Sequence, residues 1–122
     1  MENLILCVGR NCRNQELLSQ VLEKAGYSVR TALNCETLTQ MVDQSSISLV
    51  LLDVAGFDRQ IWQHCRMLKS HRIPYFLITP SGGAHLSASY RQQYFNAQED
   101  DTPLLVKPLS IRLLLALISY TL

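Results

Sequence analysis

Three apolar runs of this sequence each end in a side chain of different chemistry. Asp53 follows Leu51-Leu52, Thr79 follows Leu77-Ile78, and Lys107 follows Leu105-Val106. A carboxylate, a hydroxyl and an ammonium group can together hold an ionic or strongly polar partner if the fold brings them to one place. A fourth run, Leu4–Val8, ends in Gly9-Arg10-Asn11 and adds a guanidinium, which binds a carboxylate as a two-pronged fork.

Other chemistries lack their residues. Cys7, Cys12, Cys35 and Cys65 form no C-x-x-C pair and match no zinc spacing, so they read as reduced thiols, with Cys7 packed as a small hydrophobe. His64, His71 and His85 read as solvated side chains on helix surfaces or loops. Gly82-Gly83 belongs to the turn-rich stretch Pro80-Ser81-Gly82-Gly83, and neither it nor Gly9 sits in the G-x-G-x-x-G pattern that cradles phosphates. The net charge is +1 and no basic stripe is visible beyond Arg10 and Arg13, which argues against nucleic-acid binding.

The elements that must position Asp53, Thr79 and Lys107 follow from the hydrophobic pattern. Leu4–Val8, Ile47–Leu52, Pro74–Ile78 and Leu104–Val106 are nearly continuous apolar runs, as expected for strands buried on both faces of a parallel sheet. Tyr27–Leu33 roughly alternates and reads as an edge strand. Between the runs lie segments of helical periodicity: Gln15–Ala25, stopped by Gly26; Cys35–Gln44, with Asn34 as N-cap; Asp58–Ser70; Ala84–Ala97; and Ser110–Leu122, with Ser110 as N-cap. This β-α alternation predicts one α/β domain, residues 1–122, built from five units with right-handed crossovers. In such a sheet ligands bind beyond the carboxyl ends of the strands, where Asp53, Thr79, Lys107 and the Gly9-Arg10-Asn11 loop all converge.

Taken in register, Leu51-Leu52-Asp53, Ile78-Thr79 and Val106-Lys107-Pro108 resemble the receiver domains of bacterial two-component signalling over the whole chain. The resemblance implies a flavodoxin-like (CheY-like) doubly wound (βα)5 sandwich with strand order 2-1-3-4-5. It also implies Asp53 as the phosphoacceptor-like residue, Thr79 and Lys107 as phosphoryl contacts, and Pro108 as a cis-proline-like turn. A receiver is a signalling module and not an enzyme. Its partners would be a histidine kinase, an output domain or a second copy, and its place the cytoplasm, alone or within a membrane-bound hybrid kinase.

The departures from the family pattern are specific. The family carries two adjacent carboxylates after the first strand, which help to hold Mg²⁺; here no acid occurs between Glu2 and Glu16. One carboxylate is a poor magnesium site, so no cofactor is expected. Val54-Ala55-Gly56-Phe57 replaces the Met-Pro turn after the phosphoacceptor, and Leu104 stands at the aromatic switch position. These changes predict an atypical receiver with impaired phosphorylation, in which Arg10 or Lys107 pairs with Asp53 and Arg10 takes the place of the metal. A conventional phosphoacceptor using Asp53 is the alternative. A small flavodoxin-like enzyme or nucleotide binder is a third reading, and it lacks a glycine-rich loop or a nucleophile–base pair.

The last helix is more apolar than packing on a sheet requires. Ile111, Leu113, Leu114, Leu115, Leu117, Ile118, Tyr120 and Leu122 cover more than one face, which predicts a protein partner on Ser110–Leu122. Ser110, Arg112, Ser119 and Thr121 interrupt that stretch, which is too short for a membrane span, and no signal-peptide pattern opens the chain.

Overall fold

The computed structural model describes residues 3–57, 60–79 and 104–122. The strands are β1 (Leu4–Val8), β2 (Ser28–Ala32), β3 (Leu49–Asp53), β4 (Tyr75–Thr79) and β5 (Leu104–Val106). The helices are α1 (Cys12–Lys24), α2 (Cys35–Gln44), α3 (Ile61–Ser70) and α4 (Ile111–Thr121). The expected helix Ala84–Ala97, the Pro80–Gly83 loop and the start of the third helix at Asp58 lie outside the described residues.

The strands form one parallel sheet in the order β2-β1-β3-β4-β5. This is the flavodoxin-like, CheY-like arrangement, and β2 is an edge strand as its alternation predicts. Each central strand buries both faces because side-chain direction alternates along it. Leu6, Val8, Val50, Leu52 and Leu77 join the core under α2 and α3. Ile5, Cys7, Leu49, Leu51, Phe76 and Ile78 join the core under α1 and α4, with Leu22, Leu114 and Ile118 from those helices.

The first helix starts three residues earlier than its apolar stripe suggests. Asn11 caps it, its side chain accepting a hydrogen bond from the Asn14 N–H at 3.0 Å. Hydrophobic periodicity could not see this turn because Cys12, Arg13 and Asn14 are exposed. Asn34 and Ser110 cap α2 and α4 as expected, accepting from Thr37 and Leu113. Gly26 ends the first helical segment in the left-handed region, at φ +98°, where a side chain would be strained.

Candidate functional site at the carboxyl edge of the sheet

Strand parity decides which side chains meet. Asp53 continues the Leu49, Leu51 row, and Lys107 continues the row of Leu105; both rows face α1 and α4. The ladder runs on past the formal strand ends, with Val54 N–H donating to the Ile78 carbonyl and Lys107 N–H to the Thr79 carbonyl, each at 3.0 Å. Asp53 and Lys107 are thereby held on one side of the edge, with β4 between their strands. The Lys107 Nζ lies 2.7 Å from Asp53 Oδ2. The other carboxylate oxygen, Oδ1, accepts a hydrogen bond from the Ala55 N–H at 3.1 Å. Asp53 is buried, and its side chain is only 10% exposed. A carboxylate so far from water must be paired or hydrogen-bonded, and this one is both.

Thr79 is buried at the same edge. It shares the parity of Tyr75 and Leu77, which belong to the other core, so its side chain leaves the sheet on the face opposite Asp53. Among the described residues no hydrogen bond joins its hydroxyl to Asp53. Pro108 follows Lys107 through a cis peptide bond.

Arg10 stands elsewhere than expected. Its guanidinium lies over the Phe57 ring, 5.9 Å from the centroid, and its stem lies against Gly56. The expectation that Arg10 sits beside Asp53 in place of a metal is therefore corrected: among the described residues, the cation in contact with Asp53 is Lys107. The physical reason is local. Gly56 adopts φ +82° and lacks a side chain, so the post-Asp53 turn opens toward the arginine stem, and the aromatic face draws the cation.

The side chain that reaches toward Asp53 from the first-strand loop region is Gln15, which sequence reasoning missed. It is 3% exposed, and its amide lies against Gly9. A Cβ on Gly9 would fall on the Gln15 amide nitrogen and come within 3.2 Å of Asp53 Cβ. The signal was present in the sequence: Gln15 lies three residues before Leu18 and seven before Leu22, on the buried stripe of α1.

A magnesium ion, which the receiver resemblance implies, does not fit this donor set. Among the described residues Asp53 is its single carboxylate, Asn11 Oδ1 is engaged in capping α1, and the space over Gly9 holds the Gln15 amide. Among the described residues no three Asp, Glu, His or Cys side chains cluster to hold a metal. No helix among them is long and apolar enough to cross a membrane.

Comparison with protein-family models and with curated proteins gave no match. Solved structures gave many. A CheY-like response regulator receiver domain protein from Methanospirillum hungatei is 21% identical, with 98% of this chain and 93% of that chain covered at a TM-score of 0.80. The chemotaxis protein CheY4 of Vibrio cholerae is 18% identical over the whole of both chains, with a TM-score of 0.79. A response regulator receiver protein from Pseudomonas putida is 17% identical over 98% of each chain, with a TM-score of 0.82. Strand order, parity of the edge residues and these similarities agree on one conclusion: this chain has the fold of the CheY-like response regulator receiver domains.

Proposed function

We propose that this chain is a receiver domain of two-component or phosphorelay signalling whose magnesium-dependent phosphorylation is impaired, and that it works through protein–protein contacts. One observation carries the reading: Asp53 is tied to Lys107 at 2.7 Å, at an edge where the first-strand loop supplies no acid. Phosphoryl transfer to a carboxylate needs cations to neutralise the charge that builds on the phosphoryl oxygens. Lys107 is one such cation, and Arg10 is engaged with Phe57. The domain is then a docking module of the cytoplasm, not an enzyme, free-standing or attached to a kinase or an output domain.

The partner surface in this reading is α4. Leu113 is 51% exposed and Tyr120 92% exposed, on one helical stripe with half-buried Leu117 between them. Such a stripe suits a kinase, an output domain or a second copy. A conventional phosphoacceptor is the second reading, favoured by the pairing of a buried carboxylate with a lysine at the sheet edge.

Acetyl phosphate with Mg²⁺ and intact-mass analysis separate the two. An unchanged mass in the wild type supports the impaired receiver. Stoichiometric gain of one phosphoryl group, lost in Asp53→Asn, refutes it and establishes the second reading. Beryllofluoride with Mg²⁺ gives an independent answer: backbone resonances around Asp53 stay fixed in the first case and shift in the second.

A further inference from the structure

A groove of about 510 Å³ opens between α1 and α4 over the carboxyl end of the sheet. Leu17, Leu18 and Val21 line one wall, and Leu109 and Ile111 the other. Two of these, Leu17 at 51% and Ile111 at 39%, are exposed large apolar side chains. The groove's polar lining includes Gln15, Asp53 and Lys107. A mostly apolar concavity of this size with a few converging polar groups is the usual form of a small-molecule site.

The polar end defines the chemistry of the occupant. Asp53 and Lys107 neutralise each other, so a charged head group would enter a low-dielectric end without a counter-ion, which is costly. Gln15 Oε1 is buried and has no hydrogen-bond partner. Buried amide oxygens are nearly always satisfied, so an orphaned one beside a groove points to a donor that belongs there. Lys107 is 30% exposed and keeps N–H groups beyond the one aimed at Asp53, so the end also offers a donor. A head that both donates and accepts while remaining uncharged meets both requirements.

We propose that the groove between α1 and α4 binds a small neutral amphiphile: an apolar chain or ring system carrying an amide-like head, directed at Gln15 and Lys107. The proposal concerns the unphosphorylated chain, in which Asp53 and Lys107 are paired, and does not depend on whether Asp53 can accept a phosphoryl group. It makes this edge of the sheet a ligand-sensing site, because the head group would touch the Asp53–Lys107 pair.

The test is an NMR titration of the full chain with octanamide, octanoate and octylammonium, probes that share a tail and differ in head charge. Octanamide is expected to shift the resonances of Leu17, Leu18, Ile111 and Lys107 saturably. The two ions should bind about tenfold more weakly, the penalty for an unpaired charge. Ile111→Trp changes an exposed residue, leaves the core intact and fills the groove, and should abolish the shifts. Gln15→Leu should weaken octanamide and narrow its advantage over the ions, leaving the part owed to the unpaired charge. The proposal is overturned if no saturable shift occurs, if octanamide binds equally to Ile111→Trp, or if octanoate binds as well as octanamide. Sedimentation at the same concentrations supplies a further check. A dimer that Ile111→Trp abolishes would show that a second copy closes the groove, and would overturn the small-molecule assignment. Acetyl phosphate labelling of Asp53 would overturn the impaired-receiver reading and leave these titrations unaffected.

Discussion

Breaking the Asp53–Lys107 pair from its two ends should have unequal consequences. Lys107→Met removes the ammonium and leaves a carboxylate that is 10% exposed and has one remaining hydrogen bond among the described residues, from Ala55 at 3.1 Å. Stripping the partner from a fully buried ion pair costs roughly 3–5 kcal/mol, because the surviving charge is left uncompensated. Lys107 is 30% exposed, so water already screens part of the attraction, and about 2 kcal/mol is the discounted figure. Asp53→Asn instead removes the buried charge itself. The asparagine oxygen still accepts from Ala55, and the lysine can turn its head to water, so the cost is at most about 1 kcal/mol. For a domain of this size the two variants should differ in Tm by roughly 3–5 °C. Urea unfolding followed by the fluorescence of the single tryptophan, Trp62, measures both. The double variant should be more stable than Lys107→Met alone, since it deletes the stranded carboxylate. An Asp53→Asn variant as unstable as Lys107→Met would refute the reasoning. So would a double variant whose loss equals the sum of the two.

Three further outcomes follow from the packing. Gly9→Ala should destabilise by about 1 kcal/mol, because its Cβ lands on the flexible end of Gln15 and displaces the amide, and Gly9→Ala combined with Gln15→Ala should recover part of that loss in thermal unfolding. Leu114→Ala should cost about 2–5 kcal/mol in urea unfolding, since Leu114 is fully buried in the core under α1 and α4, whereas Leu113→Ala on the exposed side should change stability by less than about 0.5 kcal/mol. Burial pushes the Cys7 and Cys65 thiols up to about 12, with the Tyr75 hydrogen bond and Lys69 pulling the other way at Cys65. Both should therefore resist iodoacetamide at pH 8 while exposed Cys12 reacts, as peptide mapping would show. These two thiols deprotonate later in the folded state than in the unfolded chain. Their contribution to stability is complete below pH 9 and lost as pH rises toward 12.

The fold was legible because this sheet is buried on both faces. Continuous apolar runs marked β1, β3, β4 and β5, and the weaker alternation of β2 marked an edge. Cap residues Asn34 and Ser110 announced two helix starts correctly, whereas Asn11 was hidden behind a polar first turn. The convergence of Asp53 and Lys107 was legible from topology alone, since both end parallel strands. What a sequence cannot carry is side-chain direction in irregular backbone. Arg10 lies one residue beyond Gly9, off the sheet, and its direction is set by Gly56 and Phe57, more than forty positions away. Thr79 stands at the same edge, but its parity with Leu77 sends its side chain off the sheet on the other face. Gln15 is hard to read because a glutamine at the start of an amphipathic stripe looks like solvent-facing helix, and only the small volume of Gly9 lets it turn inward.

These placements are physically linked. A magnesium site at this edge needs carboxylates on the first-strand loop and open space above them. Glycine at position 9 removes a possible ligand, and the volume it frees is taken by the Gln15 amide, so the exchange closes the space as it deletes the donor. The buried Asp53 carboxylate needs a counter-charge, and Lys107, on the same side of the sheet edge, supplies it at 2.7 Å. Arg10 is then free of the acid and stacks on Phe57, pinning the turn after β3 from outside. Reintroducing an acid at position 9 alone would therefore not rebuild an ion site: the new side chain would meet Gln15 first, and the lysine already holds the carboxylate that the ion would need.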